Sequence, residues 1–267
     1  MTEFSEEKIR VCEAILARTE GAASEFLAGK LKKETARNWD LFYKRNTTNF
    51  FKDRHWVERE FPELRPVAGI APASKCGCAS LFKGCGVGNF IFPTLDSNSD
   101  LFIYGCDLSK RAVDFVKADA KYDTQRCKAF VCDITSQPLT DNVPPHSLDL
   151  VSALFCFSAI PPDQMPPAVE NLKSVLKPGG IVLFRDYGIY DAAQLRFKPT
   201  SKLSDRLYAR HDGTLSYFFS TADLDRLFCA NGFVPIENTY VVKTVVNRKR
   251  ELHMERVFVQ ARLRYQP

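Results

Sequence analysis

The N-terminal part of the chain places its apolar residues at the spacing of amphipathic helices. Between Glu6 and Lys33 these residues are Ile9, Val11, Cys12, Ile15, Leu16, Phe26, Leu27 and Leu31. Positions three and four apart lie on one face of a helix. The pattern therefore predicts an N-terminal helical extension, which we place at residues 1–70.

From about residue 79 the pattern changes to short apolar runs that alternate with amphipathic segments. The sequence predicts strands at residues 79–82, 101–106, 128–132, 148–157 and 181–185. Ser109 can cap a helix after the second strand, and a helix at 165–176 runs into the Pro-Gly-Gly stop signal at 178–180. Such alternation is typical of a parallel sheet with crossover helices.

The remaining part of the chain extends this plan. A stretch at about 187–220 is rich in Arg, Lys and aromatic residues and is too long for a simple connection. A helix at 221–230 and two strands at 238–246 and 256–263 are predicted after it. We therefore expect an α/β fold with a mostly parallel, seven-stranded sheet at residues 71–267 and an insertion at about 187–220.

A glycine-rich turn follows the first predicted strand. Gly84, Gly86 and Gly88 are separated by single residues, and Asp107 ends the second strand 19 residues after Gly88. Glycines allow a ligand to approach the backbone closely, and an acid at the end of the second strand can accept hydrogen bonds from ribose hydroxyls. The pattern therefore indicates a nucleoside ligand.

The glycine spacing separates two classes of nucleoside cofactor. Dinucleotide-binding turns usually read G-x-G-x-x-G, whereas the third glycine here comes one residue early. Asp133 follows the third strand, where it could bind an adenine amino group, and Ile134 could pack on the ring. The ordered set resembles the class I S-adenosylmethionine-dependent methyltransferases, which have a Rossmann-like fold. A dehydrogenase is a weaker alternative.

The charge of the chain is small in total but unevenly distributed. The net charge is +5, yet residues 31–59 hold eight basic and four acidic residues, residues 196–210 five and one, and residues 241–266 seven and two. The rest of the chain is therefore acidic overall. Basic residues interleaved with Trp39, Phe42, Tyr43, Phe50 and Phe51 suit a polyanion whose bases can stack, although a solvated basic face is the alternative.

Several longer runs carry a narrower resemblance. These runs lie at residues 38–46, 49–56, 183–188, 195–197, 212–214 and 216–219. They resemble the tRNA N3-methylcytidine methyltransferases of the methyltransferase-like family, and most of all the branch that acts on serine tRNAs. The resemblance implies methylation of the cytidine at tRNA position 32, in the anticodon loop, with seryl-tRNA synthetase as a helper.

The resemblance also implies positions for the cofactor. When the family's cofactor contacts are transferred to the matching positions, the residues that would contact S-adenosylmethionine are Trp39, Tyr43, Gly84, Asp107, Asp133 and Leu154. We add Gly86, Gly88 and Ile134 to this predicted cofactor site because they belong to the same turn and strand end.

The chemistry of cytosine sets the remaining expectations. Its N3 carries an in-plane lone pair and is largely unprotonated at neutral pH, so alignment can replace a general base. Asp186 and Tyr187 are the candidate groups for stabilising the cationic product. Arg54 and His55 complete the candidate catalytic set, where they would hold phosphates and the flipped base. The residues expected to bind RNA are Arg45, Lys52, Arg54, Arg196, Lys198, Tyr217 and Phe218.

The chain departs from the family immediately before its glycine turn. Phe82 and Lys83 stand there in place of the family's acidic residue, and the strand is weakly apolar. A noncatalytic tRNA-binding adaptor therefore remains an alternative, and a small-molecule methyltransferase is another. Stabilisation by S-adenosylhomocysteine would favour an enzyme, and salt-sensitive tRNA binding would exclude the small-molecule reading.

Composition indicates the compartment. The nine cysteines form no regular framework, and the nearest group, Cys76, Cys78 and Cys85, lacks a fourth metal ligand, so we expect reduced thiols and no metal. The apolar run at 150–160 is too short to span a membrane, and the N-terminus does not read as a secretory signal. We expect a monomer in the cytoplasm, and a nuclear pool is compatible with the same features.

Overall fold

The computed structural model describes residues 4–17, 23–66, 79–247 and 252–267. Cys76 and Cys78 lie outside these residues, as does most of the charged turn predicted at 247–251. The backbone of Phe82 and Lys83 is described, but their side chains are not.

Four helices form the N-terminal part of the described chain. They are α1 (Glu6–Leu16), α2 (Glu25–Lys33), α3 (Thr35–Asn46) and α4 (Val57–Glu60). The hydroxyl of Ser5 accepts a hydrogen bond from the Lys8 amide and begins α1, and Ser24 does the same for α2 through the Leu27 amide. The helical character predicted for this part is therefore present, in separate helices.

Seven of ten described strands build one sheet. In chain order the strands are β1 (Ala79–Lys83), β2 (Phe102–Asp107), β3 (Cys127–Val131), β4 (Leu148–Leu154), β5 (Leu176–Tyr187), β6 (Lys202–Ser204), β7 (Leu207–Ala209), β8 (Leu215–Tyr217), β9 (Phe233–Asn247) and β10 (Leu252–Tyr265). The large sheet has the order β3-β2-β1-β4-β5-β10-β9, and β6, β7 and β8 form a small antiparallel sheet. The first five strands of the large sheet are parallel, and β10 and β9 are antiparallel. The expected α/β fold with a mostly parallel seven-stranded sheet is confirmed.

Helices cover both faces of this sheet. They are α5 (Ile91–Ser97), α6 (Lys110–Ala118), α7 (Met165–Val175), α8 (Ala192–Arg196) and α9 (Thr221–Leu224), which continues as a π-helical turn at Asp225–Cys229. On β4 and β5, Val151 and Val182 pack toward the α7 side, whereas Leu150 and Leu183 pack toward α5 and α6. Burial on both faces explains why the central strands read as continuous apolar runs.

Two predicted boundaries are wrong for reasons of backbone geometry. The strand predicted at 148–157 ends at Leu154, because Phe155 has a φ of 55° and Phe157–Ala159 form a 3-10 turn. The fifth strand begins at Leu176 instead of 181, and the irregular register between Leu148 and Leu150 accommodates the glycines before Ile181. The apolar run could not reveal either feature, since both depend on a change in dihedral angles within it.

The stretch at 187–220 contains α8 and the small sheet. The phenol of Tyr190 donates to Glu13 of α1 at 2.6 Å, and the Phe4 ring packs against Tyr190 and Tyr240. The first helix is therefore fastened to this stretch. None of the described helices combines the length and the apolar character that a transmembrane span requires.

We expect Gly88→Ala to lower the free energy of unfolding by about 2–4 kcal/mol, because it adds overpacking to backbone strain. Gly88 has a φ of 94°, and a Cβ there would overlap the Phe92 ring. Gly179→Ala is the matched control, since Gly179 has a φ of 83° but no atom within 4 Å of the added Cβ. Urea denaturation of both variants measures the difference, and equal losses would contradict a role for the Phe92 contact.

Candidate active site

The glycine turn after β1 brings two other parts of the chain against its backbone. A Cβ on Gly84 would lie 2.6 Å from the Cβ of Cys156, and one on Gly86 would lie 3.0 Å from the Tyr43 phenol oxygen. Only glycine therefore permits the end of β4 and helix α3 to approach this closely. Gly88 differs from the prediction, because it packs on Phe92 and does not line the cavity described below.

Asp107 at the end of β2 fixes this turn. Its Oδ2 accepts a hydrogen bond from the Gly86 amide at 3.0 Å, and its Oδ1 accepts one from the Ser109 amide at 2.9 Å. The carboxylate is buried and also contributes to the cavity wall. A charged acceptor held by two backbone donors is rigid, which suits a group that orients a ligand.

Helix α3 is tied to the sheet domain at two points. Asp40 accepts hydrogen bonds from the Ser109 hydroxyl at 2.9 Å and from the Arg111 amide at 3.1 Å. The Asn38 side chain donates to the Gly213 carbonyl at 3.0 Å. These bonds position Trp39 and Tyr43, which project from α3, over the carboxyl ends of the strands.

A cavity that opens to solvent lies at this edge of the sheet. Its wall consists of Trp39, Tyr43, Phe51, Arg54, Gly84, Cys85, Gly86, Asn89, Phe90, Cys106, Asp107, Leu108, Cys132, Phe155, Cys156 and Ala159. Ligands of open α/β sheets bind at the carboxyl ends of the strands, where the strand order reverses. Trp39, Tyr43, Gly84, Gly86 and Asp107 of the predicted cofactor site meet in this first cavity.

Besides Gly88, three predicted cofactor residues do not line it. Asp133 directs Oδ1 to the amide and hydroxyl of Thr135 at 3.0 and 2.8 Å. Ile134 is buried in the hydrophobic core, and Leu154 contributes only a backbone carbonyl that accepts from Arg54. Their neighbours Cys132 and Phe155, the first residues after β3 and β4, line the cavity instead.

Arg54 occupies a different place from the one predicted. Its side chain lines the first cavity, Nη1 donates to the Leu154 carbonyl at 3.0 Å, and the guanidinium lies 5.2 Å from the centre of the Phe155 ring. Burial lowers the pKa of Arg54, and no ion pair within the described ranges joins it to a carboxylate. The predicted contact of Arg54 with the RNA backbone stays a prediction, and the half-buried cation fits an anionic group of a ligand in the cavity.

Tyr43 is a buried neutral phenol at the cavity wall. Burial raises the pKa of Tyr43 well above its usual value, and the charge of Asp107 adds to this rise. The phenol therefore keeps its proton and can donate a hydrogen bond to a ligand.

A second cavity adjoins the first and also opens to solvent. Its wall consists of Trp39, Phe42, Arg45, Asn46, Phe50, Phe51, Phe155, Ser158, Tyr187, Ala193, Phe197, Arg210, His211, Asp212, Ser216, Phe218 and Arg256. Trp39, Phe51 and Phe155 belong to both walls. The predicted residues Arg45, Tyr187 and Phe218 meet here.

Tyr187 lies between two guanidinium groups in the second cavity. The central carbons of Arg210 and Arg256 are 5.6 and 5.7 Å from the centre of its ring. Asp191, which is fully buried, accepts from Arg256 Nε at 2.8 Å and fixes that side chain. The cavity therefore combines stacking surfaces with cations, as a site for a nucleotide requires.

Asp186 does not contact either cavity, contrary to the prediction. Its carboxylate is fully buried, and its oxygens accept hydrogen bonds from the Ser158 and Tyr187 amides, both at 2.9 Å. Burial raises the pKa of Asp186. Because Ser158 and Tyr187 line the second cavity, Asp186 acts as a positioning residue beneath its wall.

The other predicted residues divide between surface and core. His55 and Lys52 are exposed and line neither cavity, so the predicted catalytic place of His55 is wrong. Tyr217 is buried in the core against Phe219, and burial raises its pKa to about 12, so it cannot present its ring to RNA. Arg196 and Lys198 line an open groove that shares Phe197, Arg210 and His211 with the second cavity.

Arg210 and Arg256 are the functional candidates that the sequence analysis missed. They lie in the stretch after β5 and in β10, and both segments had been singled out for their basic charge. The basic charge marked the two segments, but it could not show which of their several basic residues lie beside Tyr187. Within the described residues, no group of three or more His, Cys, Asp and Glu side chains could hold a metal ion.

Comparisons with known proteins agree with this geometry. A family model described as a methyltransferase domain matches residues 83–182. The human tRNA N(3)-cytidine methyltransferase METTL6 is 47% identical over 262 residues, which cover 98% of this chain and 89% of the relative. The tRNA N(3)-methylcytidine methyltransferase trm141 of Schizosaccharomyces pombe is 42% identical, with 89% and 95% covered.

Solved structures support the fold. A SAM-dependent methyltransferase from Anabaena variabilis aligns with a TM-score of 0.61 at 11% identity, covering 86% of this chain and 95% of that one. A Burkholderia thailandensis 1,6-didemethyltoxoflavin-N1-methyltransferase, solved with S-adenosylhomocysteine, gives a TM-score of 0.52 at 14% identity, with 88% and 91% covered. The chain has the class I methyltransferase fold, and its cofactor is S-adenosylmethionine. It belongs to the family of tRNA N(3)-cytidine methyltransferases.

Proposed function

We propose that this enzyme methylates N3 of the cytidine at position 32 in the anticodon loop of serine tRNAs. The observation that carries the proposal is the pair of adjoining cavities that share Trp39, Phe51 and Phe155. The first has the features of a nucleoside cofactor site, and the second is aromatic and cationic. A shared wall allows a methyl group and a base to meet without either ligand leaving its cavity.

The first cavity fits S-adenosylmethionine by the chemistry of its donors and acceptors. Asp107 would accept from the ribose hydroxyls, Trp39 and Tyr43 would cover the nucleoside, and Arg54 would bind the α-carboxylate. The half-buried place of Arg54 in the cavity wall, where no described carboxylate forms an ion pair with it, and the close packing at Gly84 and Gly86 support this assignment. The cofactor supplies an electrophilic methyl group on a sulfonium.

The second cavity would hold the flipped cytosine. An anticodon-loop base must leave its stack to be reached, and aromatic faces can replace the lost stacking. Tyr187 and Phe155 offer such faces, and Phe155 also belongs to the cofactor cavity. Since N3 needs no deprotonation, these residues act by aligning the base with the methyl group. Alignment of this kind can lower an activation barrier by up to about 7–11 kcal/mol.

Positive charge develops on the base as the methyl group arrives. Asp186 lies beneath the wall and Asp212 lies in it, so two carboxylates are close to the ring that becomes cationic. In the protein interior such fixed charges act more strongly than in water. The arginines in the same wall suit the phosphates on either side of the flipped base.

The open groove next to the second cavity would carry the rest of the loop backbone. It is lined by Arg196, Lys198 and Arg210 and has no acidic residue in its wall. A cationic groove that continues from a base pocket is the usual arrangement for single-stranded RNA. We further propose that seryl-tRNA synthetase assists on serine tRNAs and that the enzyme itself is a monomer in the cytoplasm.

The proposed function is tested by incubating the purified enzyme with methyl-labelled S-adenosylmethionine and total tRNA, with and without seryl-tRNA synthetase. We expect label in N3-methylcytidine at position 32 of serine tRNAs, measured by nucleoside mass spectrometry and mapping. A serine tRNA with uridine at position 32 is the matched control. Label that appears in another nucleoside, or only in small molecules, would refute the assignment.

We expect Arg54→Gln to weaken binding of S-adenosylhomocysteine by about 1.5–3 kcal/mol, the worth of hydrogen bonds to a charged group. Arg54→Lys should retain part of the affinity, because it keeps the charge but not the planar donors. Isothermal titration calorimetry measures both. His55→Gln is the control, since His55 is adjacent, exposed and outside both cavities, and unchanged affinity in Arg54→Gln would remove this residue from the cofactor site.

We expect the double variant Arg196→Gln/Lys198→Gln to bind tRNA more weakly and with less salt dependence, while cofactor affinity stays the same. Each lost phosphate contact reduces the slope of log K against log salt by about 1. Filter binding at several salt concentrations measures the slope. Lys121→Gln removes an exposed charge outside the groove and serves as control; a slope equal to that control would exclude the groove as the RNA path.

A further inference from the structure

Four neighbouring strands each place a cysteine at the wall of the first cavity. Cys85 follows β1, Cys106 lies near the end of β2, Cys132 follows β3 and Cys156 lies just beyond β4. Methyl transfer to a cytosine nitrogen requires no thiol, so the proposed function leaves these side chains without a role. They are nonetheless nucleophiles in the wall of the cavity assigned to the cofactor.

Cys156 differs from the other three in its surroundings. It follows Phe155, which is shared by both cavities, and it contacts the glycine turn at Gly84. It also lies close enough to Arg54 for a thiolate there to raise the pKa of the arginine. Arg54 therefore places a cation in the same cavity wall as the Cys156 thiol.

Cys85 has the opposite environment. Burial raises the pKa of its thiol well above the usual value, and the charge of Asp107 adds to the rise. Reactive cysteines occur beside cations, whereas cysteines that are buried without one are inert. Of these two thiols, Cys156 therefore has the surroundings of a nucleophile.

We propose that Cys156 is a modification site for small soft electrophiles of the α,β-unsaturated carbonyl class, and that its modification and cofactor binding exclude each other. The proposal rests on the assignment of the first cavity to the cofactor, but not on the identity of the RNA. In the reaction the thiolate sulfur forms a bond to the β-carbon, and the π electrons move to an enolate. The enolate takes up a proton equivalent to the one that the thiol released, so no oxidant is needed.

The geometry explains why the two events compete. Cys156 is buried, and its Cβ already packs against the backbone of Gly84. The space open to an adduct is therefore the cavity itself, next to Gly84 and Gly86. An electrophile that enters would close the methyltransferase to its own cofactor.

N-ethylmaleimide labelling of the full chain tests the proposal, with each cysteine quantified by peptide mass spectrometry. We expect Cys156 to be labelled in the free protein and saturating S-adenosylhomocysteine, at about 100 times its Kd, to slow this labelling about 100-fold. Cys229 is exposed and lies outside the cavity, so it serves as the internal reference and should react equally under both conditions. A Cys156 that stays unlabelled while Cys229 reacts completely would overturn the proposal.

Variants separate the roles of the neighbouring groups. Arg54→Gln should slow labelling of Cys156 about tenfold or more, because it removes the cation near the thiol, and Arg54→Lys should retain the rate. After maleimide treatment, Cys156→Ala should bind S-adenosylhomocysteine as it did before treatment. Cys85→Ala should lose this binding, because it retains Cys156.

The arms of the experiment distinguish this proposal from the proposed function. Calorimetry on unlabelled protein first establishes cofactor binding, and no RNA is present at any step. If the cofactor binds but labelling of Cys156 proceeds at the same rate, mutual exclusion is wrong. A failure to methylate tRNA position 32, by contrast, would refute only the substrate.

Discussion

The absence of side chains at Gly84 and Gly86 is the constraint on which the site depends. It lets Cys156 and the Tyr43 phenol reach the backbone of the turn, while the Gly86 amide bonds to Asp107. Three distant parts of the chain, from α3, β2 and the end of β4, thereby meet at one edge of the sheet. Any side chain at either glycine would separate them, because the contacts are already at or below van der Waals distance.

A buried cation joins the N-terminal extension to the sheet beneath this site. The Arg185 guanidinium is 2% exposed, lies 4.7 Å from the Trp56 ring centre and 5.4 Å from that of Phe258, and pairs with Glu60 at 3.2 Å. Burial lowers the pKa of Arg185. Burial alone would raise the pKa of Glu60, but the charges of Arg185 and Lys243 hold it below its usual value. Removing one partner of such a pair leaves an uncompensated buried charge, so the pair specifies how α4 docks.

The sequence was sufficient for features that depend on local chemistry. The glycine turn and Asp107 could be predicted because each follows a recognisable strand, and Trp39 and Tyr43 because they belong to a family-specific run. Side-chain direction could not be predicted. Asp133 turns to Thr135, Arg54 turns into the cavity, and Asp186 turns beneath the wall, and in each case tertiary hydrogen bonds decide the direction. Arg256 was beyond reach because its place beside Tyr187 depends on the pairing of β10 with β5.

Phe155 carries a consequence for how the two ligands influence each other. Its φ of 55° is a strained conformation for an aromatic residue, held by the surrounding packing, and its ring faces both cavities. A shift of this ring on occupation of one cavity necessarily alters the shape of the other. Thermodynamic linkage then requires reciprocity: whatever factor the cofactor contributes to RNA affinity, the RNA returns to cofactor affinity. Phe155 is thus a natural point of coupling between two binding equilibria.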